Sequence, residues 1–123
     1  MKDMKAFNIN DTNYCFTDDI FNLLKSIETR NSRSLKSLVG KRVGVIKTCR
    51  KRKALLVGYV DIVEEIRYNN VDEFRADYKR HRVQPGSEYD IKEGGVKYGY
   101  VLGKPERCEP IDVAAKGIVI RNI

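Results

Sequence analysis

Apolar positions in this chain come in short runs separated by turn residues, and none approaches the roughly 20 residues that cross a bilayer. Phe16, Ile20, Phe21, Leu23 and Leu24 fall near helical spacing, and Thr17 followed by two Asp residues makes a helix start, so a helix is predicted over Phe16 to Leu24. Lys25 to Arg30 is short and alternating, like a strand, and Asn31 to Ser37 is a Ser, Arg and Asn loop in which only Leu35 can pack. Val43 to Ile46, introduced by Gly40-Lys41-Arg42, predicts a buried strand, and Ala54 to Val63 a long β-branched one. The basic turn Cys49 to Lys53 joins these two as a hairpin. Val71, Phe74 and Tyr78 predict a second helix with Asn69 or Asn70 as N-cap, broken by Pro85-Gly86. Lys97 to Leu102 and Gly117 to Arg121 close the pattern as strands. Between them the segment carrying Pro105 and Pro110 must be extended or turning. Residues 1–13 are polar and read as a loop or edge segment. The fold class is α+β: a small mixed β-barrel or curled sheet of five or six strands with two or three short helices.

A length of 123 residues suits one domain spanning 1–123. With 41% hydrophobic and 33% charged residues, a packed core under a heavily charged surface is expected, not a disordered or collagen-like chain. The first ten residues mix Lys, Asp and Asn and do not form a leader, so a soluble, cytoplasmic protein with no membrane partner is expected. Cys15, Cys49 and Cys108 are far apart and odd in number, which fits reduced thiols acting as small buried or half-buried hydrophobes. With His81 alone and no thiol near it, neither a metal site nor a cofactor is expected. No glycine-rich phosphate loop is present.

The charge is unevenly spread. Between Lys25 and Lys53 there are 11 basic residues and one acidic residue, Glu28, a net +10, while the rest of the chain carries 13 basic and 16 acidic side chains. The whole positive excess of +7 therefore comes from one segment, whose folded face is expected to attract anions. The plainer account is a solvated basic hairpin that only confers solubility.

Within that segment, Glu28 and Arg30 are two apart and project from one face of a strand, with Ser26 on the same side. Lys25 faces the other way unless it lies at the helix–strand corner, from which it reaches the mouth of a cleft. The Arg30 fork suits a phosphate or a base edge, and Glu28 accepts from an amino group or holds Arg30; a purely structural pair is the alternative. Arg33, Lys47, Arg50, Lys51, Arg52 and Lys53 are candidates to grip phosphates. Among Tyr59, Tyr68, Tyr78, Tyr98 and Tyr100, the pair Tyr98 and Tyr100 shares a face and is the preferred platform for stacked bases, although tyrosines at strand spacing also serve as barrel wall. His81, in the run Lys79 to Arg82, reads as a solvated charge at a helix end.

These residues carry a resemblance. A short helix, the strand Lys25-Ser26-Ile27-Glu28-Thr29-Arg30, a Gly-Lys-Arg turn into Val43 to Ile46, then Leu56 to Ile62, Tyr98 to Leu102 and Glu109-Pro110-Ile111 follow in the order of the ASCH family, a branch of the PUA-like superfamily. The chain resembles that family from about Phe16 to Ile120, and the family's Lys-[Thr/Ser]-x-Glu-x-Arg signature stands at Lys25 to Arg30. It departs where Leu23-Leu24 replace the expected Gly and where Tyr100 stands for a frequent Trp.

The resemblance implies a PUA-like module that binds RNA through the basic 25–53 face and the cleft of the Lys25–Arg30 signature, with Lys25, Glu28, Arg30 and Arg33 among its nucleic-acid-binding residues. It also implies an alternative. Some ASCH-like proteins resemble amidohydrolases that remove an acyl group from modified cytidine with a Lys, a Thr and a Glu. Lys25 matches the Lys, but Glu28 occupies the place of the Thr, leaving Ser26 or Thr29 as nucleophile; the catalytic Glu falls on Glu73, Asp77 or Glu88. Under that alternative Lys25 and Glu28 are the catalytic pair. An interaction domain with a protein partner in a larger assembly is the third possibility.

Overall fold

A computed structural model describes residues 4–50, 52–114 and 120–123. Strand β1 (Lys5–Asn10) leads to helix α1 (Phe16–Phe21) and then to β2 (Ile27–Arg30); a 3-10 turn (Lys36–Leu38) precedes β3 (Arg42–Thr48) and β4 (Ala54–Tyr68). Helices α2 (Val71–Ala76) and α3 (Tyr78–His81) come next, followed by the long β5 (Lys97–Val113) and β6 (Ile120–Asn122). The six strands form one sheet in the order β2-β5-β4-β3-β1-β6. β1 runs parallel to β3, and every other neighbouring pair is antiparallel.

The period-2 pattern builds the core. Phe7 and Ile9, Val43 and Val45, Val60 and Ile62, and Tyr100 and Leu102 alternate onto one face, where Phe16, Ile20, Leu35 and Leu38 cover them. Three register shifts between β4 and β5 bend the pair, so the sheet curls into a half-barrel around that core. A separate apolar cluster of Tyr68, Phe74, Val83 and Ile91 seats α2 at the far end of β4.

Several boundaries differ from the expectation. Residues 5–10 form neither a loop nor an edge: β1 lies between β3 and β6, and its alternating Phe7 and Ile9 are buried. α1 ends at Phe21, with Leu23 at φ 66° and both Leu23 and Leu24 exposed. Its first turn is capped from a distance, because the Asp11 carboxylate accepts from the amides of Phe16 and Thr17 at 3.0 and 3.1 Å. Asn70 caps α2 as expected, accepting from the Glu73 amide at 2.9 Å. Pro105 and Pro110 do not end β5. They lie beyond the stretch paired with β2 and at slips in the β4 register, where a missing N–H breaks no regular ladder. The last strand is observed over Ile120–Asn122; residues 117–119 of the expected one lie outside the described residues.

Candidate functional site

Lys25 lies at the corner between α1 and β2, and the chain turns there so that its side chain enters the protein. It is 2% exposed, its Nζ donates to the main-chain oxygen of His81, and it lies 4.7 Å from the centre of the Phe16 ring. The same Nζ is 3.9 Å from Glu28 Oε1. Glu28 Oε2 in turn accepts from Arg30 Nη2 at 2.9 Å, and that nitrogen also donates to the Asn8 carbonyl at 2.6 Å. Thus the signature residues form a line of cation, anion and cation that is buried at Lys25 and Glu28 and half-buried at Arg30. The shared face of Glu28 and Arg30 is as the spacing predicts, whereas Ser26, just before the strand, is exposed while Glu28 is buried.

Burial lowers the Lys25 amine to a pKa of about 8, against the opposing pull of Glu28 and Asp19. Lys97, also buried, is lowered for the same reason, with Asp90 and Glu28 resisting. Above this group sits an aromatic cluster that the pattern of the chain does not reveal. Tyr14 stacks on Phe16 at 4.8 Å, and Tyr89 packs edge-on to both at 5.4 and 5.8 Å. The Tyr89 hydroxyl is held above its usual range, chiefly by burial, and feels the charges of Glu88, Glu28 and Arg30. Tyr14 and Tyr89 lie in irregular segments, without the spacing that marks a strand or helix face.

The preferred stacking pair does not survive. Tyr100 is fully buried, its hydroxyl donating to Glu65 Oε2 at 2.7 Å, so it is barrel wall and closed to a base. Tyr98 is half-buried, with the Arg67 guanidinium 6.0 Å from its ring. His81 is not a solvated charge either. It is 0% exposed and stacks on Phe74 at 4.0 Å. Its Nε2 faces the Phe74 carbonyl at 2.6 Å, and its Nδ1 accepts from the Val83 amide at 2.9 Å. A carbonyl only accepts, so Nε2 carries the proton and the ring is neutral. Cys15 is exposed, unlike the half-buried Cys49 and Cys108, and all three are free.

The basic segment does not fold into one uniform face. Arg33 pairs with Glu65 at 2.8 Å, Arg42 with Asp61 and Glu106 at 3.0 and 2.9 Å, and Lys53 with Asp112 at 3.2 Å. These partners come from outside the segment, so charge counted along the chain overstates the charge left on the surface. Lys36, Lys41, Lys47, Arg50 and Arg52 make no salt bridge among the described residues; Lys51 lies outside them. The seven residues of β3 then separate Lys36 and Lys41 from Arg50 and Arg52 by roughly 20 Å. By register the tip, at Ala54 opposite Val113, lies far along β4 and β5 from Tyr98–Val101, the stretch that pairs with β2, and its link toward Lys25 runs through the Asp11–Thr12 turn. The Arg50 amide donates to Thr12 Oγ1 at 2.9 Å, and the neighbouring Asp11 feels Lys47 and acts on Lys25.

Among the described residues, no group of three or more His, Cys, Asp or Glu side chains is arranged to hold a metal ion, and no helix is long and apolar enough to cross a membrane.

No family model and no curated protein matches the chain. Solved structures do. The ASCH protein of Zymomonas mobilis superposes with a TM-score of 0.66 at 15% identity, covering 89% of this chain and 73% of that one. A tyrosine-to-phenylalanine mutant of that protein gives 0.70 at 15% identity, over 91% and 77% of the two chains. A serine-to-alanine mutant gives 0.74 at 14% identity, over 98% and 87%. At such identities the likeness is one of architecture, and the curled six-stranded sheet with its three short helices is the fold of these ASCH structures, a PUA-like fold.

Proposed function

We propose that this protein is an RNA-binding module that engages a strand with the hairpin tip and the cleft. The observation that carries this reading is the group Lys47, Arg50 and Arg52, which make no salt bridge among the described residues and connect through Thr12 and Asp11 to Lys25 and its partner Glu28. Lys51 and Lys53 add to the tip in sequence, and Arg33 stands near the cleft strand. Cations without carboxylate partners are the ones free to replace the counterions around phosphates, so affinity falls steeply with salt. In the cleft, Arg30 supplies a donor fork and Glu28 an acceptor for base edges. Tyr98 keeps one partly open ring; Tyr100 supports the wall behind it.

The test is fluorescence anisotropy with labelled single-stranded RNA, duplex RNA and single-stranded DNA at about 50 and 200 mM salt. Binding that prefers RNA, weakens with salt and needs both the tip and Arg30 is the expected result. Absence of binding to all three would overturn the reading, and salt-insensitive capture of a protein would point to an interaction domain.

One observation favours a second reading, an amidohydrolase on acylated cytidine-type nucleosides. Lys25 is a buried amine with a pKa of about 8 beside the Glu28 carboxylate, and such an amine exchanges protons near neutral pH. The resemblance to that chemistry lacks its Thr, because Glu28 occupies the position and Ser26 is exposed. Release of the acyl group by the wild type but not by Lys25→Met decides it.

A further inference from the structure

A cavity of about 260 Å³ lies between α1 and the sheet, apart from the signature cleft. Its walls include Phe21 from α1, Leu55 and Val57 from β4, Lys47 from β3, and Arg107 and Cys108 from β5. Gly58 lets Phe21 lie close against the strands, since a Cβ there would stand 2.5 Å from the ring. The Arg107 guanidinium is 5.5 Å from the Phe21 ring centre, held by Asn22 Oδ1 at 2.9 Å and Asp18 Oδ1 at 3.4 Å. Lys47, which makes no salt bridge among the described residues, leads from β3 directly into the hairpin tip.

This combination selects a ligand class. An aromatic ring and a guanidinium plane are the two surfaces on which single-stranded bases stack, and cations beside them take the flanking phosphates. The volume is below the roughly 300–1,000 Å³ that encloses a drug-sized molecule and suits one flat ring system. The Asp18 carboxylate at the rim accepts from an exocyclic amino group. We infer that this cavity receives a single splayed-out nucleobase from a strand lying along the hairpin tip, set against the paired Phe21 ring and Arg107 guanidinium, with Lys47 on the neighbouring phosphate. The inference rests on the RNA-binding reading and adds to it a site that the cleft residues do not form.

Cys108 reports on the cavity. In a background of Cys15→Ser and Cys49→Ser it is the remaining thiol, and its alkylation by iodoacetamide is followed by mass spectrometry. Four samples are compared: free protein, single-stranded RNA, an abasic strand of equal length, and inorganic phosphate. Stacking of one base makes RNA slow the reaction by about fivefold or more, while the abasic strand binds by anisotropy yet protects little. Lys47→Gln, a surface change, reduces the protection. Val57→Phe fills the cavity and abolishes protection while leaving the salt-dependent binding in place. RNA that binds without protecting Cys108, or an abasic strand that protects equally, overturns the inference and leaves the RNA-binding reading standing. No strand binding at all removes that reading and the inference together.

Discussion

The Nη2 of Arg30 donates to the main-chain oxygen of Asn8 at 2.6 Å, although their strands sit near opposite ends of the sheet order. β2 is one edge and β1 is next to the other, so this bond spans the mouth of the half-barrel. The same nitrogen holds Glu28 at 2.9 Å. Arg30→Met removes the tie and leaves the Glu28 carboxylate buried beside Lys25 alone. The variant is expected to lose about 2 kcal/mol in urea unfolding, the scale of hydrogen bonds to charged groups. Arg30→Lys restores the charge but not the fork and is expected to recover less than half of the loss. A midpoint unchanged in Arg30→Met would show that the bridge contributes nothing to closure.

Lys25 makes stability depend on pH in the alkaline range. Its folded pKa is lowered by burial from 10.5 to about 8. Between those values the unfolded chain holds the proton and the folded chain releases it, so stability rises with pH from about 8 to 10.5. The difference in unfolding free energy between wild type and Lys25→Met is expected to shift in favour of the wild type across that window by an amount of the order of 3 kcal/mol. Tyr68 and Tyr100, whose hydroxyls burial holds up, are present in both proteins and cancel in the comparison. A difference that stays flat from pH 8 to 10.5 would mean that the amine is not held in the interior.

His81 works at the acid end. Burial lowers its pKa from 6.5, and its neutral ring is fixed by the Phe74 carbonyl and the Val83 amide. Below pH 6.5 the unfolded chain takes up a proton that the folded ring refuses, so stability falls as pH falls through that value. Long-range proton–nitrogen NMR is expected to show a single Nε2–H tautomer that persists below pH 6.5. A ring titrating near 6.5 would return His81 to the surface role that its basic neighbours imply.

Much of the architecture was legible because it rests on local periodicity. The alternation at Val43 to Ile46 and from Ala54 onward specified the hairpin, and Asn70 specified the start of α2. What local pattern cannot carry is the register of distant segments. β1 looked polar because Asn8 and Asn10 alternate with Phe7 and Ile9, and only pairing with β3 and β6 shows those apolar residues buried. The Lys25, Glu28 and Arg30 cluster was visible as a motif. Its aromatic cover, Tyr14 and Tyr89, was not, because these residues are 75 positions apart and meet only in the fold. His81 misled for a related reason: its charged neighbours remain exposed while the helix turns its ring inward.

Charge counting failed in the same way and leads to a test of position. Lys36 and Lys41 belong to the basic segment, as do Arg50 and Arg52, yet β3 holds the two pairs roughly 20 Å apart, well beyond the ~8 Å screening length at physiological salt. A strand gripped by the tip should release counterions from Arg50 and Arg52 and not from Lys36 and Lys41. Arg50→Gln with Arg52→Gln is therefore expected to lower the slope of log affinity against log salt by roughly 1.4 for single-stranded RNA. Lys36→Gln with Lys41→Gln is expected to leave the slope unchanged within error. Equal losses from both double variants would make the attraction a property of net charge alone, with no defined track for the strand. A larger loss from Lys36 and Lys41 would move the binding surface from the tip to the side of the sheet where Lys36 and Arg33 act on Glu65.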